Sequence, residues 1–316
     1  MLSRKVPPAL GVLGVLGVLG VLGILVAMVA CRTRAAVETA IPRAHVRVSM
    51  RTTEILTAFL SLPEFSTEAV PIGDSEKRLE ALQESSIDVA TVVADVTYLA
   101  FNGRLPDGAA PMQKIRGIAL MNRAIVHLLI GPKVDPRRGF RGMRIVLGDP
   151  VSGNAGLGER LVNSAGVANS EIQGEFVPYD AGVEKLLNGE VDAVIVTMRP
   201  PQEPVARALR GGAHLLEIDG REVDGLRAYY PLLRRTLLPR GTYPGQDTPL
   251  HTVGVDLLLV CRADLDSELV YKMTRALFEE MPQRIRRQLD PQRAPATVIP
   301  LHPGAARYYR ERELSR

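Results

Sequence analysis

The sequence predicts an α/β fold built as two lobes with a ligand cleft between them. Three observations carry the prediction. Short apolar runs of strand length alternate with amphipathic stretches of about ten residues, a pattern that predicts mostly parallel sheets. The alternation occurs twice, over residues 45–130 and again over 143–250. An export-type segment precedes both. The chain has 316 residues, 46% hydrophobic and 23% charged, which suits about two globular domains.

The elements follow in order. Arg4 and Lys5 make a short basic start, residues 8–30 carry no charge, and GVL units repeat through residues 11–22. A basic start followed by an apolar run ending in small residues is a secretory pattern. Met28-Val29-Ala30-Cys31 is similar to a bacterial lipoprotein box, in which the cysteine is lipidated, so Cys31 is the candidate lipidation site. The run is also long enough for an uncleaved anchor, which needs roughly 20 residues, and plain cleavage after export is a third reading. All three place the body outside the cytoplasmic membrane, in the periplasm or tethered to the membrane's outer face.

Residues 45–50 alternate and read as a first strand, with a helix over 54–62 stopped before Pro63. A short strand at 68–72, an amphipathic helix over 75–84 and a buried strand at 88–93 follow. Asp95 reads as the cap of the next turn, or as a group reaching a cleft. Strands at 115–121 and 125–130 close the first set, and the Pro/Gly/Arg-rich segment 132–142 marks a boundary. The second set predicts a strand at 175–178 and a helix capped by Asp180 and ended by Gly189. A strand at 191–197, a helix over 202–209 and a strand at 214–218 come next. Residues 238–246 are turn-rich, 252–261 is the longest apolar β run, and helices over 267–280 and 282–289 follow.

Composition excludes several function classes. Beyond the first 31 residues, 37 basic residues face 35 acidic ones, too even for a nucleic-acid surface. Tryptophan is absent and aromatics are 4%, which argues against a base-stacking platform. Cys261 lies in an apolar run and reads as a buried thiol, and no CxxC motif exists. The five histidines are scattered at 45, 127, 214, 251 and 302 with no metal-ligand spacing, and no cofactor motif appears. Gly153, Gly156 and Gly158 are spaced GxxGxG, which is not the dinucleotide fingerprint. No local Ser/His/Asp or Cys/His arrangement points to an enzyme.

Residues 144–166 are the most informative stretch. A short strand leads into a Gly/Pro/Ser/Asn-rich loop and then an amphipathic helix. Unpaired N–H groups at such a helix start, with the helix dipole, favour a carboxylate or phosphate. The competing reading is an ordinary connection in which Ser152 or Asn154 caps the helix.

Six segments stand out in order: IDVATVVADVTYLAFNG at 87–103, HLLIGPKVDPRRGFRGMRIVLGDPVSGN at 127–154, LLNGEVDAVIV at 186–196, LPRGTYPGQ at 238–246, TVGVDLLLV at 252–260 and LHPGAARYYRE at 301–311. Together they resemble the TAXI group of TRAP-associated extracytoplasmic solute receptors. The resemblance implies a type II periplasmic-binding-protein-like fold. Lobe one combines residues 45–127 with 256–316, lobe two is 128–255, and crossing segments lie near 127–130 and 252–257. It also implies capture of a small carboxylate-bearing solute, glutamate-like or another organic anion, by hinge closure, and its delivery to a TRAP-type membrane permease. The sequence departs from the family pattern after the first strand. Ser49-Met50-Arg51-Thr52-Thr53-Glu54 lacks the usual glycines, Val93-Ala94-Asp95 replaces Gln-Ser-Asp, Asn154 replaces Thr, and Thr197-Met198-Arg199 replaces small residues. The altered loop motivates a second reading, a ligand sensor that signals to a membrane partner.

The candidate ligand-binding residues are Ser152, Gly153 and Asn154 for a carboxylate, Asp95 for an ammonium or hydroxyl, and Arg199 and Arg51 as guanidinium clamps. Arg199 follows a buried strand at its C-terminal end, where ligands of open α/β sheets bind. Thr52 and Thr53 stand beside Arg51, as contacts or as helix caps. His127 reads as a core histidine with a partner. Tyr243 and Gln246 read as part of a packed turn.

Overall fold

A computed structural model describes residues 44–50, 65–150, 155–287 and 289–314. The segments holding Cys31, Arg51, Thr52, Thr53, Ser152, Gly153 and Asn154, and the helix expected over 54–62, lie outside the described residues.

The first set of elements is β1 (Ala44–Ser49), β2 (Phe65–Ala69), α1 (Ser75–Gln83), β3 (Val89–Val93), α2 (Ala94–Phe101) and β4 (Ile115–Ile130). The second is β5 (Arg144–Gly148), α3 (Ala155–Ser164), β6 (Gln173–Phe176), α4 (Tyr179–Asn188), β7 (Ala193–Met198), α5 (Glu203–Arg210), β8 (His214–Leu216), α6 (Arg221–Tyr229) and β9 (Arg234–Leu238). The chain then runs through β10 (Leu250–Arg262), α7 (Ser267–Glu279), α8 (Gln283–Arg286) and α9 (Pro303–Leu314). The α/β class predicted from the sequence holds.

The strands form one sheet in the order β2-β1-β3-β10-β4-β7-β5-β6, with β8 on β4 and β9 on β10. It is mixed rather than mostly parallel. β1 pairs parallel with β2 and β3, β5 pairs parallel with β6 and β7, and β4 and β10 run antiparallel to their neighbours. The two parallel triplets have the same internal order, and each borders a long strand shared by both halves.

The register fixes where the halves meet. β3 lies along β10 with Val89 opposite Cys261 and Val93 opposite Leu257. β7 lies along β4 with Ala193 opposite Ile130 and Met198 opposite Ile125. Cys261 and Ile130 are near the outer ends of their strands, whereas Leu257 and Ile125 are near the middle. The two parallel sets therefore run toward each other, and their C-terminal ends converge on one level, the short stretch of β10 from Gly254 to Leu257. β10 exchanges β9 for β3 on one edge between Gly254 and Leu257, while β4 takes up β7 at Ile125 on the edge opposite β10.

Several elements differ from expectation. Residues 115–130 form one sixteen-residue strand, not two. Asn122 and Arg123 interrupt the apolar pattern, but Arg123 is satisfied across the ladder by Asp256, with Nε donating to Oδ1 at 2.8 Å. β2 begins at Phe65, three residues earlier than the alternation suggests, because Phe65 is buried opposite Ala44. Asp180 does not cap α4. Pro178 holds the cap position and Asp180 pairs with Arg207 at 3.0 Å. Gly189 does end α4, with φ of +77°.

His127 is fully buried as a partnered core histidine. Its Nδ1 lies 3.2 Å from the Val196 carbonyl and its Nε2 2.9 Å from the Tyr243 hydroxyl. Burial pushes its pKa down to about 4, so the ring is neutral at physiological pH. Tyr243 thus anchors the turn to β4, and Gln246 holds the turn's base through Leu238 and Thr248 carbonyls. Tyr243→Phe strands a buried ring nitrogen and is expected to cost about 1–2 kcal/mol, read as a lower urea midpoint at unchanged m-value.

Candidate functional site

The level at which β1, β3, β5 and β7 end is where an open α/β sheet presents a site, since strand C-termini and helix N-termini converge there. β3 delivers Asp95 to it and β7 delivers Arg199. Ser49 ends β1, and Gly148-Asp149-Pro150 leads from β5 toward the segment holding Ser152, Gly153 and Asn154.

Asp95 is fully buried. The cap reading fails for it, because Val93 occupies the α2 cap position and makes no side-chain cap bond. Asp95 sits one residue inside the helix, and its Oδ1 accepts the backbone N–H of Leu232, 137 residues away in the segment after α6. Its Oδ2 is buried without a partner. Desolvation raises its pKa to about 6, and the nearby Asp256 charge adds to the rise, while the backbone N–H groups of Leu232, Leu233 and Asp95 itself oppose it. A second buried oxygen without a partner, Ser49 Oγ, stands at the end of β1.

Arg199 is exposed, and its carbonyl accepts the Gln202 side-chain amide. No ion pair holds its guanidinium among the described residues. The sequence had placed Asp95 and Arg199 on separate strands, and the register brings both to one level.

One contact and one longer-range charge interaction join the halves around this level. A Cβ on Gly73 would stand 3.1 Å from the Pro150 carbonyl oxygen, so the loop before α1 abuts the loop after β5. Arg160 of α3 stacks on the Tyr229 ring at 4.2 Å, and its charge acts on both Tyr230 and Glu76. Tyr230 has its hydroxyl pKa raised by burial, and Glu76, in the first turn of α1, is held above the usual carboxylate range by partial desolvation and by Asp74.

Sequence reasoning missed Tyr230, Leu232, Glu76 and Arg160. The only signal was the Tyr229-Tyr230-Pro231 run between two elements. Leu232 acts through its backbone, which no residue type announces.

Among the described residues, no group of three His, Cys, Asp or Glu is placed to hold a metal ion. No described helix is long and apolar enough to cross a membrane.

Solved structures with related coordinates include a protein of Bordetella bronchiseptica RB50, with 15% identity and a TM-score of 0.47 over 85% of this chain and 80% of that one. The periplasmic aliphatic sulphonate binding protein SsuA from Escherichia coli matches at 15% identity and a TM-score of 0.40, over 84% of this chain and 78% of that one. PhnD1 from Prochlorococcus marinus, solved with methylphosphonate, matches at 11% identity and 0.46, over 74% of this chain and 84% of that one. The family model that matches covers residues 57–312, and on that match the chain belongs to the NMT1-like family.

Proposed function

We propose that the protein is an extracytoplasmic solute receptor that closes two lobes over a small carboxylate-bearing solute and passes it to a TRAP-type membrane permease. The observation that carries this reading is the convergence of β3 and β7 on one level, with a buried and half-unpaired Asp95 on one side and, on the other, an exposed Arg199 with no ion pair among the described residues. Opposite charges placed at the converging strand ends of two half-sheets suit an amino-acid-like solute. Its carboxylate meets Arg199 and the N–H groups expected of residues 152–154, and its ammonium or hydroxyl meets Asp95. Arg51, Thr52 and Thr53, next to Ser49, complete lobe one's side. No cofactor and no catalytic step is required. The protein works in the periplasm, held to the membrane by its N-terminal segment or by a lipid on Cys31. The TAXI-like segments at 238–246 and 301–311 support the permease as partner.

A thermal-shift screen of organic acids and amino acids tests the reading, because a ligand that binds only the folded state raises stability by mass action. A saturable shift with a carboxylate-bearing solute is expected, and its absence throughout the millimolar range rejects the proposal. For the solute found, Arg199→Ala is expected to weaken binding about tenfold or more, about 1.4 kcal/mol, measured by titration calorimetry. Unchanged affinity removes Arg199 from the site.

A further inference from the structure

We propose that the protein carries a second small-molecule site, distinct from the cleft, that takes an amino acid with an apolar side chain. A cavity of ≈ 380 Å³ opens beside the start of β5, within the range of about 300–1,000 Å³ usual for ligand sites. Its floor is apolar and well packed: Leu128, Phe140, Met143, Leu161 and Ile218 are all buried. Leu128 stands opposite Leu216 in the β4–β8 ladder, so one side of the floor is sheet, and Leu161 of α3 closes another. Met143 immediately precedes β5 whereas Gly148 ends it. The cavity is thus about 16 Å from the cleft level, at roughly 3.3 Å per strand residue.

The charges at the rim select the ligand. Arg141 is already paired with Glu171, and Glu217 accepts the His251 backbone N–H at 3.0 Å. Arg138 and Glu222 also line the cavity, and neither has an ion pair among the described residues. Arg138 also acts on the charge of Asp192, which is already held by Arg144, so its guanidinium keeps donors for a ligand, and a guanidinium and a carboxylate at the rim of an apolar floor fit a zwitterion. Its carboxylate goes to Arg138, its ammonium to Glu222, and its side chain to the floor. A purely anionic ligand leaves Glu222 facing a like charge, and a purely apolar one leaves both charges unanswered.

The test is calorimetric titration of the full chain, in a mild detergent, with L-leucine, N-acetyl-L-leucine and L-leucinamide. L-leucine is expected to bind saturably, and each capped derivative at least tenfold more weakly. Placement is read from ¹³C-methyl methionine spectra, with the Met143 signal assigned as the one lost in Met143→Leu. That signal is expected to move with L-leucine, while those of Met50 and Met198, at the cleft ends of β1 and β7, stay. Ala165→Trp fills the cavity and is expected to abolish the shift. Should that variant fail to fold, the surface double variant Arg138→Gln/Glu222→Gln is expected to weaken binding at least tenfold. The proposal is overturned by no saturable heat at millimolar L-leucine, by movement of Met50 or Met198 instead of Met143, by full affinity for either capped derivative, or by full affinity in a folded variant.

Discussion

Asp95→Asn is expected to make the ligand-free protein more stable near neutral pH, the opposite of what loss of a buried hydrogen-bonding residue usually does. Asp95 is fully buried with Oδ2 unpartnered, and its pKa rises from 3.8 to about 6. The folded state therefore holds the proton more tightly than the unfolded chain. For a carboxylate raised in this way, the associated stability is fully present below about pH 3.8 and is lost as pH climbs to about 6. Above that, the folded state carries a charge that the unfolded chain would hold in water. A rise of about two units corresponds to about 3 kcal/mol. Asparagine removes the charge and keeps an oxygen for the Leu232 N–H, but its amide group then lacks an acceptor where Oδ2 stood, which costs about 1–2 kcal/mol. The net gain is about 1–2 kcal/mol near pH 7.5, a rise in Tm on the order of 4 °C for a body of this size, and it reverses to a loss of about 1–2 kcal/mol near pH 4, where only the unpaired amide still counts. Thermal melts of both proteins from about pH 4 to pH 8 check it. Parallel curves across that range would show that Asp95 does not titrate with folding. The same variant is expected to lose affinity for an ammonium-bearing solute, since a residue retained at a cost to stability is one that function uses.

The elements whose residues bury one face were legible in the sequence, because a period of 3.6 or 2 is a direct record of burial. β3, β7 and β10 were found for this reason, and α7 with them. What was not legible depends on contacts far apart in the chain. β4 looked like two strands because Arg123 interrupts its apolar run, and only Asp256, 133 residues on, makes that arginine a ladder residue. Asp95 and Asp180 looked like helix caps because an acid before a helical pattern usually is one. Asp95 instead answers a backbone N–H after α6, and Asp180 answers Arg207. The site was half legible on the same grounds. Strand ends nominate Asp95 and Arg199, whereas their common level comes from antiparallel register, which a single sequence does not record.

Gly158→Ala is expected to be among the most damaging single substitutions in the chain. The glycine belongs to the GxxGxG spacing that is not a nucleotide fingerprint, and packing explains it. A Cβ at Gly158 would lie 1.8 Å from the Leu147 carbonyl oxygen and 2.7 Å from its carbonyl carbon. Both are backbone atoms of β5, so no side chain can rotate away, and α3 must lift off the strand. Leu157, Leu161 and Val162, which α3 buries beneath it, lose contact as it lifts. Overpacking a core usually costs 1–3 kcal/mol, and an obstruction made of backbone belongs at or above about 3 kcal/mol. Displacing α3 also displaces what it positions: the N-terminus next to residues 152–154 and Arg160 over Tyr229. The variant is therefore expected to lose ligand affinity together with stability, whereas Tyr243→Phe, remote from that helix, loses stability alone. Urea denaturation with parallel ligand titration separates the two outcomes, and an alanine variant of wild-type stability would mean that α3 does not sit on β5 as described.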